Sequence, residues 1–354
     1  MTDTMTIAST ESDEMATDQA AEIEALLLET IDRLSEDQAS RDVREAADQG
    51  VFPTALWDAV DDIGLTRCLV PEQDGGSGLP LASAMRALKR TAHHALPLPI
   101  AESMIASRML LAAGLPVPPG IISVAQRGSD GLLPRVAWGE QATQLVVVEA
   151  HQGASCVSLY AGKARIEHKA RNLAGEPRIT LATDEMERVA SAELPQATEL
   201  LQRYGALARS AQMSGALERA LQLALQYANE RVQFGRPIGK FQAVQHMLAV
   251  QASHAAAASA AFEGALDGGD AHPAELPVAI AKARISEAAG QGADIAHQVH
   301  GAMGFTREHQ LHHVTRRLYA WRDEYGNEVF WQRRVGQIIA SAGADALWPT
   351  LASL

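Results

Sequence analysis

Cysteine is nearly missing from this sequence: Cys68 and Cys156 are the only two among 354 residues. Two thiols so far apart form neither a disulfide framework nor a metal cluster, and they suit buried positions in a reduced, cytoplasmic protein. Aromatics are also scarce, 5% of residues where hydrophobic types together make 47%, so the apolar content rests on Ala, Leu, Val and Ile. Long alanine-rich stretches of that kind favour helix over sheet. No apolar run reaches the roughly 20 residues that crossing a bilayer requires. The opening, MTDTMTIASTESDEMATDQ, has no basic segment followed by an apolar one, as a secretory signal would. Positive charge is in the minority, 30 Lys and Arg against 43 Asp and Glu, and the net charge of −13 repels phosphate backbones and anionic lipid. Nucleic acid and membrane are thereby set aside as partners.

What is present divides into four stretches. Residues 1–18 are acidic and rich in Ser and Thr, the composition of a solvated tail. From 19 to 115, apolar residues recur at three and four, as in Ile23, Leu26, Leu27, Ile31 and Leu34, which is the stripe of a core-facing helix. This predicts an N-terminal helical domain, interrupted where PEQDGGSGLP, residues 71–80, cannot continue a helix. Between 116 and 194 the pattern changes to short β-branched runs such as QLVVVEA, ASCVSLYAG and PRITLAT, punctuated by Gly, Asp and Asn. Five or six strands in antiparallel hairpins are expected there, as a small β barrel or sandwich. From 195 to 354 long helical stretches resume. Their small residues, Gly205, Ala206, Ala208, Ala211 and Gly215 among them, permit close helix contact, and a tightly packed helical bundle is expected.

Within the bundle, YANERVQFGRPIGKFQAVQHML at 227–248 sets an arginine, an aromatic and a glutamine around one helix break. Gly235 and Pro237 stop the first helix, and a second starts at about Lys240 with Phe241, Val244 and Leu248 facing the core. Arg231 and Phe234, three apart, project to one side. A guanidinium offers a planar, always charged fork to phosphate oxygens, each charged hydrogen bond contributing about 1.5–3 kcal/mol. On spacing alone the same residues also read as an exposed arginine and a core phenylalanine beside an ordinary helix cap. His309, His312 and His313 fall at helical spacing, but Glu308 is the only carboxylate close by and no H-E-x-x-H occurs. They read as solvated or capping histidines, as do His93 and His94, and no metal site is expected.

The 227–248 segment resembles the acyl-CoA dehydrogenase family, and QVHGAMGFTREHQLHHVTRR at 298–317 resembles it independently. The resemblance implies a mainly α fold with a small β domain: an N-terminal helical domain, a middle antiparallel β barrel or sandwich, and a C-terminal four-helix bundle. It implies FAD as cofactor, an acyl-CoA thioester as substrate and an electron-transferring flavoprotein as acceptor. In the family an R-x-x-F motif and a following glutamine hold the ADP part of FAD, which maps to Arg231, Phe234 and Gln242. A Q-x-x-G-G segment reaches the FAD of a neighbouring subunit, which maps to Gln298, Gly301 and Ala302, with alanine replacing one glycine.

The family's catalytic base, a glutamate before a glycine some 27 residues after that glutamine, falls here on Tyr325, followed by Gly326. A phenol of ordinary pKa near 10 is a poor base at neutral pH. Glu324, one residue earlier, is the nearest candidate. The alternative position used by some members, 25 residues before Glu230, is Gly205. The middle region is short, and SVAQRGSDG at 123–131 lacks the T-E-P of the usual flavin-binding segment. The resemblance therefore implies a subunit that completes a partner's FAD site, as in two-subunit bacterial members including those acting on steroid side chains. The partner would be a homologous second subunit in a heterotetramer. The alternatives are a self-sufficient homo-oligomeric dehydrogenase using Glu324 as base, an inactive scaffold, and a flavin monooxygenase of the same fold.

Overall fold

The computed structural model describes the backbone of residues 3–151, 154–267 and 272–352. Five helices come first: α1 (Asp3–Gln38), α2 (Arg41–Asp48), α3 (Thr54–Asp62), α4 (Leu81–His93) and α5 (Ile100–Ala112). Residues 3–18, expected as a solvated tail, form the first turns of α1. Ser40 starts α2 by accepting a hydrogen bond from the Val43 amide, satisfying one of the donors that a helix start leaves free.

Seven strands follow: β1 (Ile122–Gln126), β2 (Leu133–Ala137), β3 (Gln144–His151), β4 (Ala154–Ala161), β5 (Arg165–His168), β6 (Arg178–Ala182) and β7 (Glu187–Glu193). They form two sheets, ordered β1-β3-β4-β7 and β2-β6-β5. Leu133, Val136, Leu145, Val147, Ile179 and Leu181 fill the space between the sheets, so the domain is a sandwich. Two expectations are corrected. There are more strands than the five or six anticipated, and the hairpin pattern is broken because β1 pairs with β3 in parallel, Val124 opposite Val146. The reason lies in β2, which crosses to the second sheet and pairs with β6, returning the chain beside β1 in the direction in which it left.

Helices then resume with α6 (Ala197–Glu230), a two-residue hairpin of β8 (Val232–Gln233) and β9 (Arg236–Pro237), α7 (Gln242–Gly264), α8 (Glu275–His300), α9 (Leu311–Asp323), α10 (Glu328–Ala342) and α11 (Leu347–Ala352). Helix α6 is the axis of the molecule, packing against α4, α5, α7, α8 and α9. Its small residues make that possible. A Cβ placed on Gly215 would sit 2.0 Å from the Lys89 carbonyl oxygen of α4, so only glycine lets the two helices lie this close. Both cysteines are buried and free. Among the described residues no helix is long and apolar enough to cross a membrane.

Candidate functional site

A cavity of about 750 Å³ opens where the β sandwich meets the bundle, lined among others by Gln126 of β1, Arg135 of β2, Arg178 of β6, Arg209 of α6 and Tyr319 of α9. Arg178, Arg209 and Glu324 of its lining belong to a longer chain of alternating charges. Glu102 of α5 pairs with Arg209 Nη2 at 2.6 Å, and Arg209 Nε donates to Glu324 Oε2 at 2.8 Å. Glu324 Oε1 accepts from Arg178 Nε at 2.8 Å and from Asn172 Nδ2 at 3.3 Å. Arg178 in turn pairs with Glu176 at 3.2 Å, and Glu176 with Arg317 of α9 at 3.4 Å. Three carboxylates and three guanidinium groups alternate, so each buried charge is offset by its neighbours.

Glu324 follows the last residue of α9, where the backbone turns extended, and so falls between β6 and α6. Burial alone would raise its pKa, but Arg178 and Arg209 outweigh burial and hold the carboxyl down at about 2. A group so held is a weak base. Tyr325 sits next to it with φ +54, a left-handed conformation uncommon outside glycine. Its ring covers Gly205: a Cβ there would lie 2.2 Å from Tyr325 Cδ1. The two positions at which the resemblance looks for a base are thus neighbours in space, and a phenol fills both. Burial pushes that phenol up to about 12. Asp323 also lines the cavity and is exposed. Lys282, fully buried in α8, fixes the turn by donating to the Arg322 carbonyl (2.8 Å) and the Gly326 carbonyl (2.7 Å). Burial brings its ammonium down to about 7.

The other predicted residues gather at one end of the bundle. Tyr227 in the last turn of α6 stacks on His300, the last residue of α8, with centroids 4.6 Å apart. Ala224, Ala228, Leu248 and Val299 bring the start of α7 to the same place. Around this cluster Arg231, Gln242, Gln298, Gly301 and Ala302 are all exposed. The Arg231 side chain has no hydrogen bond or ion pair among the described residues. Phe234, at the tip of the β8–β9 hairpin, is 92% exposed with φ +51, which rules out the reading of it as a core residue. Gln298 and Gly301 line a further cavity of about 340 Å³ together with His297 and Phe305.

The family models described as acyl-CoA dehydrogenase N-terminal domain and acyl-CoA dehydrogenase C-terminal domain match residues 21–116 and 196–327. Acyl-CoA dehydrogenase IpdE2 of Mycobacterium tuberculosis is 31% identical over 77% of this chain and 83% of its own length. The chain belongs to the acyl-CoA dehydrogenase family. Another relative, acyl-CoA dehydrogenase FadE27 of the same organism, is 28% identical over 83% of this chain and 90% of that protein. The fold recurs in the ChsE4-ChsE5 complex from Mycobacterium tuberculosis, with TM-score 0.80 and 22% identity over 92% of this chain and 98% of that one. It recurs also in the Tcur3481-Tcur3483 steroid ACAD variant, with TM-score 0.79 and 20% identity over 91% and 99%. The dehydrogenase fold predicted for the chain is the fold observed.

The histidines divide. His309 caps the start of α9, its Nδ1 accepting from the Leu311 amide at 3.1 Å. His313 is buried and pairs with Asp48 at 3.0 Å, which corrects its reading as a solvated or capping residue. His312 joins them within 4.8 Å, but Arg316 also bonds Asp48, at 3.2 Å, and sets a fixed cation there. Sequence reading missed Glu102, Arg178, Arg209 and Lys282. A signal exists for three of them. Glu102 and Arg209 are isolated charges inside the apolar and small stretches PIAESMIA and GALARSAQ, and Lys282 follows the apolar run VAIA, positions where a buried partner is required.

Proposed function

We propose that this chain is the completing subunit of a two-subunit FAD-dependent acyl-CoA dehydrogenase, contributing FAD contacts at a junction with a homologous partner that carries the base. The observation that carries the proposal is the state of Glu324. It is the carboxylate nearest the expected base position, and two guanidinium groups hold it near pKa 2 while Tyr325 covers Gly205. Abstraction of a proton beside a thioester carbonyl needs a base with pKa nearer neutrality and within hydrogen-bond reach. The self-sufficient reading with Glu324 as base is correspondingly disfavoured.

The end of the bundle has the character of a dinucleotide contact. Arg231 is a cation without a partner among the described residues, Phe234 is an almost fully exposed aromatic in a costly backbone conformation, and Gln242 stands exposed at the first residue of α7. Arg231 would grip the diphosphate, Phe234 would cover apolar surface of the ADP part, and Gln242 would donate to it. Gln298 would reach the same FAD, with Gly301 and Ala302 letting the backbone approach closely. When bound, FAD supplies the hydride acceptor, and an electron-transferring flavoprotein would then reoxidise it. The substrate is an acyl-CoA; a bulky, steroid-derived one accords with the neighbour named as a steroid ACAD, and two subunits accord with the neighbours named as pairs of chains.

Co-expression with a homologous partner, followed by intact-mass analysis and flavin quantification, tests the proposal. The expected outcome is a colourless chain alone and a yellow complex whose flavin is reduced by acyl-CoA. A chain that purifies yellow by itself, reduces its flavin with acyl-CoA and loses this in Glu324→Gln overturns it. The scaffold reading gains if Arg231→Ala leaves the flavin content of the complex unchanged.

A further inference from the structure

Away from the large cavity, four helices converge on a much smaller one. Arg44 of α2, His93 and His94 at the end of α4, Arg219 of α6, and Gln310 and His313 at the start of α9 surround a space of about 20 Å³. Its chemistry is one-sided. Asp32 is taken up by Arg90 and by His94 Nε2 at 2.7 Å. Asp48 is taken up by His313 at 3.0 Å and Arg316 at 3.2 Å. Arg44 and Arg219 have no ion pair among the described residues, and their acceptors are neutral. Arg44 Nε donates to the His94 carbonyl at 3.2 Å, and Arg219 donates to the side-chain carbonyls of Gln222 at 2.7 Å and Gln310 at 3.1 Å.

Two half-buried cations therefore face one space with no counter-charge among the described residues. Burial pulls the Arg44 guanidinium down to about 10, and Arg317 and Arg219 press in the same direction. Burial lowers Arg219 as well. A buried charge left uncompensated is costly, and guanidinium groups, which stay protonated, cannot escape by losing a proton. His93 adds a donor. Its Nδ1 is buried without a hydrogen-bond partner, and burial, helped by Arg90 and His94, brings the imidazole down to about 4, so the ring is neutral at pH 7 and can present an N–H.

We propose that this cavity binds one halide-sized monovalent anion, chloride in solution, between the guanidinium groups of Arg44 and Arg219 and the His93 ring. The size sets the class. A space needs about 10–15 Å³ to take one water-sized particle, so this one admits a single small ion and excludes phosphate or a nucleotide. The bound ion ties α2 and α4 of the N-terminal domain to α6 and α9 of the bundle.

The thermal midpoint of the full chain is measured in sodium chloride, sodium bromide and sodium gluconate at equal ionic strength. A saturable rise of about 2 °C in chloride and bromide over gluconate is expected, since a ligand of the folded state raises its stability by mass action. Arg219→Gln removes the halide-specific part and leaves the gluconate midpoint unchanged or higher. Crystals grown in bromide show an anomalous peak between Arg44 and Arg219. Equal midpoints in chloride and gluconate, a halide-specific rise that persists in Arg219→Gln, or a bromide map without a peak in the cavity overturns the proposal. Should Arg219→Gln fail to fold, Arg44→Gln and the bromide crystals of the unaltered chain decide.

Discussion

A carboxyl group serves as a base when its surroundings favour the protonated form near neutral pH; the surroundings of Glu324 do the opposite. Replacing Glu324 with Gln leaves Arg178 and Arg209 facing each other in a buried site, and breaking a buried pair from one side costs about 3–5 kcal/mol. The expected result is a matching loss in urea denaturation of the chain on its own, with no flavin needed to see it. The pH dependence has a definite sign. The folded pKa of about 2 lies below the ordinary 4.5, so the contribution of Glu324 is complete above pH 4.5 and lost as pH falls from there toward 2. Stability curves of Glu324→Gln are accordingly flatter in that window, and curves that stay parallel to those of the unaltered chain would count against the ion pairs. At Gly205 the argument is steric. Gly205→Ala drives a methyl group into the Tyr325 ring and is expected to cost about 1–3 kcal/mol by overpacking, read as a lower urea midpoint. These residues were partly legible in sequence. Counting along the motifs led to Tyr325 and Gly205, but that the two touch, and that Glu324 is locked by an arginine 146 residues away in β6, follows only from the fold.

At the scale of elements, what the sequence revealed was set by how local each signal is. The break between α6 and α7 was legible because Gly235 and Pro237 act on their own backbone. The parallel pairing of β1 with β3 was not, because β-branched runs mark strands without saying which sheet each joins, and the departure of β2 to the second sheet depends on β6, more than 40 residues later. The β8–β9 hairpin gives a test that separates stability from binding. Phe234 buries almost nothing and holds φ +51, a conformation that costs a non-glycine residue about 1–3 kcal/mol. Phe234→Gly is therefore expected to leave the melting midpoint of the chain unchanged or raised while lowering the flavin content of the complex. A fall in the midpoint would show that the ring packs against its own chain; an unchanged flavin content would show that it does not touch the cofactor.

Over the whole molecule, the charge chain from Glu102 to Arg317 joins all three domains: α5 at one end, β6 in the middle, α6 and α9 from the bundle. Sequence reading divided the chain by periodicity and composition but did not show what holds the parts together, since six ordinary charged residues scattered from 102 to 324 carry no mutual spacing. Arg209 is the joint, pairing at once with Glu102 and with Glu324; burial would lower its pKa, and those two carboxylates more than reverse that. Arg209→Met alone leaves Glu102, with 3% of its side chain exposed, as an unpaired buried carboxylate, while Glu324 keeps Arg178. Removing both charges in Glu102→Gln/Arg209→Met leaves no uncompensated group at that end. The double variant is thus expected to be more stable than Arg209→Met alone, by about 1–3 kcal/mol of coupling in a double-mutant cycle. Losses that simply add would mean that Glu102 and Arg209 do not act as a pair, and the N-terminal domain would then be held to the bundle by apolar packing of α4 and α5 on α6.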